Sequence, residues 1–236
     1  MNATKTKIFL IQGTRSKWQY DRVFEGYKIF FQPSADKGPA QHAGTAIAVH
    51  LCLLQHAFVR KVFLVENRGI ALRIKSLCMD ICLVSAHAPG DHHDRKDRTM
   101  FWHSLERGLR QLPWRTSLVI GIDANGHVGR DSSGGIGRYG EEDWTENGYA
   151  LQAAVESIDL IALNTQSNCL DTGWTWQKRD AETRHRIDYL LVRKREFDRI
   201  SCNLGVVNWP ELDKQGVAVD HRPVGCSFSP KILQAR

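Results

Sequence analysis

Apolar residues along the chain fall mostly into short runs bounded by glycine, proline and polar residues, a pattern of strands more than helices. Residues 8–11 (Ile-Phe-Leu-Ile) predict a buried strand almost at the start. Residues 27–31, 45–50, 61–65, 70–75 and 80–86 continue the series at a spacing of roughly 8–12 residues, the rhythm of an antiparallel sandwich. Residues 14–24 carry helix-compatible spacing, with Trp18, Val23 and Phe24 as apolar positions. The clearest helix is 98–112, where Phe101, Leu105, Leu109 and Leu112 recur on one face until Pro113 ends it. A strand at 117–122 follows, then a Gly/Ser-rich loop at 129–143, flexible by composition and long enough to cover a site. Asn147 is positioned to cap a second helix running to about Ser157, and 160–163, 172–177, 186–193, 204–209 and 224–228 complete the strands. Strands outnumber the few, well-separated helices, which predicts an α+β sandwich of two packed sheets with helices outside. No repeat, linker or low-complexity segment interrupts the chain, so residues 1–236 read as one domain.

Composition narrows this only slightly. Lys and Arg outnumber Asp and Glu by 32 to 26, a net charge of +6 that leans towards a polyanionic partner without any long basic run. Six cysteines, at 52, 78, 82, 169, 202 and 226, form no C-x-x-C pair in a chain large enough to need no staples. They read as reduced, mostly packed thiols of an intracellular protein, nuclear location included. No stretch approaches the ~20 apolar residues of a membrane span, and the apolar run at 8–11 is too short for a signal h-region.

Candidate chemistry gathers where strands end. Residues 121–129 read Gly-Ile-Asp-Ala-Asn-Gly-His-Val-Gly after an apolar run. This puts Asp123 and Asn125 two apart at a strand end and, by the strand period, on one face. A carboxylate and a carboxamide there can serve a hard cation or a phosphate, or simply form an Asx-type turn. Asp188 sits between Ile187 and Tyr189, and such a carboxylate needs a partner, for which histidine is the natural choice. The Asp220-His221 dipeptide and His87 before Ala88-Pro89 are each weak signals alone. His92 and His93 read as solvated, and a structural zinc site is disfavoured because no Cys/His pairs stand at ligand spacing.

Taken in order, "LIQGTR", "GTAIAV", "VSAHAPGD", "GIDANGHVG", "TENGYAL", "GWTW", "RIDYLLV" and "VDHRPV" resemble the endonuclease/exonuclease/phosphatase superfamily. That group includes DNase I-like and apurinic-endonuclease-like nucleases and the endonuclease domains of non-LTR retrotransposons. The wording of the last two motifs is most similar to the retrotransposon branch. The resemblance spans residues 8 to about 228 and implies a four-layer α/β/β/α sandwich with its site at one edge. It implies Mg²⁺-dependent (Mn²⁺ possible) hydrolysis of a phosphodiester, with nucleic acid, most simply DNA, as the partner and no membrane. Carried over by position, His221 is the base and Asp188 its orienting partner. Asp220 binds metal, Asp123 aligns the nucleophile or leaving group, and His87 stands near the phosphate as a general acid. Asn125 hydrogen-bonds a phosphate oxygen, and Arg15, Asn147, Trp174 and Arg222 are further substrate contacts.

Two departures qualify this. The superfamily's first matched motif is Gln-Glu-Thr, with the Glu as principal metal ligand, whereas this chain has Gln12-Gly13-Thr14. The superfamily's earlier strand, bearing a supporting Asn, has no counterpart before residue 8. Both point to a site with reduced or lost activity. A non-catalytic nucleic-acid binder and a phosphatase or phospholipase of the same superfamily are the competing functions.

Overall fold

A computed structural model describes residues 6–130, 134–166, 173–178, 183–199, 205–206 and 220–227. The chain gathers into two compact units, one of residues up to His87 with His103–Gly121, the other of Ala88–Trp102 with residues from Ile122 on.

The first unit begins with strands β1 (Ile8–Gln12), β2 (Arg22–Phe24), β3 (Tyr27–Gln32) and β4 (Thr45–His50). They form an antiparallel sheet in the order β1-β4-β3-β2, with Ile8 opposite Val49 and Tyr27 opposite His50. Strands β5 (Phe58–Val65), β6 (Gly69–Lys75) and β7 (Asp80–His87) form successive antiparallel pairs in a second sheet. β6 and β7 are apolar on both faces, and Ile70, Leu72, Ile74, Ile81 and Leu83 are fully buried. They pack against β1 and β4, where Ile47 and Val49 are likewise closed to solvent. Apolar burial of this kind is the main favourable term in folding. A polar pin joins the two sheets: Gln12 Nε2 donates to Ser85 Oγ at 3.0 Å and to the Gly121 carbonyl at 3.1 Å, and Ser85 Oγ donates to the Ile11 carbonyl at 2.8 Å.

The helix expected over 14–24 is absent; this stretch has no regular structure until β2. Its backbone bonds go elsewhere, Thr14 and Arg15 N–H to the Gly44 and Ala43 carbonyls and the Ser16 carbonyl to Ser34 N–H. Trp18 packs edge-to-face with Phe31 at 5.3 Å and carries the Arg22 guanidinium over its ring, 3.6 Å from the ring centre. Long-range pairing has overridden a weak local period.

Helix α1 (Arg95–Arg110) starts three residues before its expected position, and β8 (Ser117–Asp123) follows. In the second unit come α2 (Glu146–Ser157), β9 (Leu160–Ala162), β10 (Trp176–Gln177), β11 (Arg184–His185), β12 (Asp188–Arg193), β13 (Gly205–Val206) and β14 (Val224–Gly225). β12 pairs antiparallel with β9, β10 with β11 and β13 with β14. The expected cap of α2 is corrected: Thr145 is the N-cap, its Oγ1 accepting from Gly148 N–H at 3.1 Å, and Asn147 lies inside the first turn. The described part of the 129–143 loop is pinned more firmly than its composition suggests. Arg130 N–H donates to the Glu141 carbonyl, Glu141 N–H to the Val128 carbonyl, and Ile136 is 2% exposed.

Of the four cysteines described, Cys52 and Cys78 are exposed and Cys82 is buried, so packing is less general than expected; Cys169 and Cys202 lie outside the described residues. Among the described residues no helix is long and apolar enough to cross a membrane.

Candidate active site

Strand β8 is buried along its length because Leu118, Ile120 and Ile122 fill one core and Val119 and Gly121 the other side. It ends at Asp123, itself 6% exposed. The chain then turns sharply: Asn125 has φ +46° and donates its N–H to Asp123 Oδ1 at 2.9 Å, an Asx turn. The left-handed residue breaks the strand alternation expected to put both side chains on one face. Asn125 instead directs one Nδ2 proton to the Ala88 carbonyl at 2.8 Å, while Ala88 N–H donates to the Asp123 carbonyl.

Asp188 opens β12, and the partner its sequence setting calls for is His221, whose Nδ1 lies 3.0 Å from Asp188 Oδ2. The segment that delivers His221 is held by backbone bonds. Gln177 N–H donates to the Asp220 carbonyl, Arg222 N–H to the Thr175 carbonyl, and Trp176 forms an antiparallel bridge with His221. Thr175 is closed to solvent, and its Oγ1 accepts from both Ile187 and Asp188 N–H at 3.0 and 3.1 Å. Asn164 holds Asp188 from the other side through its carbonyl, at 2.8 Å. One threonine thus ties the carboxylate strand to the histidine segment. The motif around Thr175 is legible in sequence, but nothing in it singles out the hydroxyl.

Donor atoms of Asp123, Asp188 and His221 lie within 4.8 Å of one another. Burial, with the charge of Asp188 next, pushes the Asp123 carboxyl up to about 7; Asp220 adds to this, while His221 and the Asn125 N–H oppose it. Burial disfavours a charged His221, but the hydrogen bond and charge of Asp188, helped by Asp123 and Asp220, outweigh it and carry the imidazole up to about 9. The cluster is therefore two carboxylates sharing one imidazolium, with a third carboxylate, on exposed Asp220, one residue away.

Trp174 is half-exposed and flanked by two guanidiniums, Arg222 at 3.6 Å and Arg184 at 4.8 Å from its ring centre. Sequence reading passes over Arg184. Asn147 is 1% exposed and committed to the chain: Oδ1 accepts from Trp102 Nε1 at 2.9 Å, and Nδ2 donates to the carbonyls of Pro89 (2.9 Å) and Asn125 (3.2 Å). It holds the Asn125 turn from within. Three sequence candidates belong to the first unit. His87 ends β7, half-buried, with Arg68 Nη1 on its carbonyl at 3.3 Å; Arg15 is exposed at φ +51°; and Gly13 has φ +62°.

No protein-family model matches the chain, and no curated protein does either. Solved structures do. The endonuclease domain of TRAS1, a telomere-specific non-LTR retrotransposon, is 18% identical with a TM-score of 0.61, covering 96% of this chain and 87% of its own. The AP endonuclease LMAP from Leishmania major is 14% identical, TM-score 0.67, over 94% and 78%. The 3'-5' exonuclease NExo from Neisseria meningitidis is 15% identical, TM-score 0.66, over 96% and 90%. The chain has an α+β, DNase I-like fold, similar to that of these solved structures.

Proposed function

We propose that the chain is a divalent-metal-dependent phosphodiesterase acting on nucleic acid, an endonuclease of the retroelement type that uses Mg²⁺ or Mn²⁺ on DNA. The observation that carries this reading is the Asp188–His221 pair, with Nδ1 to Oδ2 at 3.0 Å, beside the buried carboxylate of Asp123. Asp188 fixes the His221 ring through Nδ1; a cation taking over the charge of the neighbouring carboxylates would let the imidazolium release its other proton, and that ring nitrogen would then take one from an attacking water. The donors fit a hard cation, because Asp123, crowded by burial and by Asp188 and Asp220, holds its charge at a cost that a cation relieves. Asp220 and Asp123 would hold that ion, and when bound it would polarise the scissile phosphate. Asn125 keeps a second Nδ2 proton for a phosphate oxygen. The Arg222–Trp174–Arg184 stack supplies both positive charge and a base-stacking face. By their motif positions, His87 would be a general acid and Arg15 a phosphate contact. Solved neighbours that are a retrotransposon endonuclease domain, an AP endonuclease and a 3'-5' exonuclease support nucleic acid as the substrate class.

Gly13 favours a second reading, a non-catalytic nucleic-acid binder. The position matched to the metal-ligating Glu of the superfamily brings no carboxylate, and its φ of +62° suits glycine better than any replacement. The first reading accommodates Gly13 as weakened metal affinity and slow turnover. Incubating the purified chain in Mg²⁺ with duplex DNA, and in parallel with inositol phosphates, separates the readings. Cut DNA with no phosphate release is expected. Phosphate release with intact DNA contradicts the proposal, and salt-sensitive DNA binding without cleavage selects the binder.

A further inference from the structure

A second cluster of metal-ligating side chains lies in the second unit, apart from the Asp123–Asp188–His221 centre. Donor atoms of His127, Glu141 and His185 all lie within 4.8 Å of one another. His185 Nδ1 is 2.7 Å from Glu141 Oε2, and the other carboxylate oxygen, Oε1, accepts Arg186 N–H at 2.8 Å, which fixes the carboxylate plane. The Glu141 backbone is itself fastened to Val128 and Arg130. His127 stacks on His185, ring centres 4.6 Å apart at 9°, and the Trp176 ring is parallel to His185 at 6.2 Å. His127 is only 8% exposed, yet its Nε2 makes no hydrogen bond, although the exposed carboxylate of Asp143 stands 3.3 Å away. A buried ring nitrogen left without a hydrogen bond is costly in a purely structural role. A cation reached by that nitrogen removes the cost.

We propose that His127, Glu141 and His185, with Asp143 as a fourth donor, form a site for Zn²⁺ or a similar borderline divalent cation. Two imidazoles and one or two carboxylates suit such an ion better than Mg²⁺ or Ca²⁺, which take oxygen ligands. Zinc bonds to nitrogen and oxygen run at about 2.0–2.2 Å, so the wider-spaced donors draw in around the ion while the His185–Glu141 contact, at 2.7 Å, opens to admit it. The ion takes the place of the hydrogen bond between His185 Nδ1 and Glu141, and each neutral imidazole that binds keeps its one proton on the ring nitrogen turned away from the ion. Bound there, it clamps the 139–143 segment to the β10–β11 hairpin, whose Trp176 bridges His221.

The test is titration of the full chain, stripped by chelator, with Co²⁺ as a visible probe and with Zn²⁺ as its competitor. The chain used carries Asp188→Asn and His221→Ala, which dismantle the other cluster. One equivalent of Co²⁺ with a four- or five-coordinate absorption band, displaced by Zn²⁺, is expected, together with a metal-dependent rise in Tm. His185→Gln, at a half-exposed position, lowers the affinity by roughly 10–100-fold or more, while its circular dichroism without metal stays that of the parent. His127→Gln does the same if it folds. No Co²⁺ band, or binding unchanged in His185→Gln, overturns the proposal.

Discussion

Among single residues, Asn147 shows how a polar side chain can matter to a site without facing it. Its amide satisfies the Trp102 indole and two carbonyls, those of Pro89 and Asn125. Asn147→Ala strands these groups in a dry interior, and we expect denaturant titration to show a loss of about 2–4 kcal/mol. A loss under 1 kcal/mol means the side chain does not hold the turn. Asp80 is a second case. Arg73 donates to it through Nε and Nη2 at 2.8 and 2.7 Å and Thr116 Oγ1 stands at 3.2 Å, so the guanidinium's hydrogen bonds hold the Asp80 carboxyl below the usual range despite partial burial. A carboxyl whose folded pKa is depressed adds stability that is fully present above its unfolded pKa and fades as pH falls through the folded one. The window is therefore the acid side of about pH 4. Asp80→Asn should cost about 1–2 kcal/mol at neutral pH and flatten the stability profile within that window. Equal acid sensitivity in both proteins contradicts this account.

At the scale of elements, the organising contact is Thr175 between β12 and the His221 segment. Thr175→Val keeps the shape but leaves Ile187 and Asp188 N–H without an acceptor, so we expect a loss of about 1–3 kcal/mol and, in any cleavage assay, a fall in kcat larger than the rise in KM. Unchanged kcat in a folded variant shows that the hydroxyl does not position the pair. The strands were largely legible in sequence: residues 45–50 coincide with β4, and β3, β6, β7 and β8 fall within two residues of their expected ends. Continuous apolar runs buried on both faces leave little ambiguity. The 14–24 stretch was misread because a few apolar residues at helical spacing weigh less than backbone pairing with residues 34–44, which no local pattern reveals. β10 takes the last two residues of the strand expected at 172–177, and β11, also two residues, is too short to leave a period.

For the molecule as a whole, the site divides along the same line. Asp188 was marked by its apolar neighbours as needing a partner, but that the partner is His221 came from the motif resemblance, because the Asp220-His221 dipeptide is a weak signal alone. His127, Glu141 and His185 were invisible, because their spacings of 14 and 44 residues match no ligand motif and only the fold brings them together. The net charge of +6 and the Arg222–Trp174–Arg184 stack predict DNA affinity that falls as salt rises, with Arg222→Ala reducing the slope of log K against log salt by about one. A slope left unchanged places the phosphate contacts elsewhere. The central claim is that His221, held by Asp188, performs metal-dependent cleavage in spite of Gly13. Its most direct measurement is the rate of supercoiled-plasmid nicking in Mg²⁺ and in Mn²⁺ by the chain and by His221→Ala, each freshly purified from the same host. The account predicts slow nicking that needs the metal and disappears in His221→Ala. Nicking at the same rate in the variant, or none from either protein at saturating DNA and metal, contradicts it.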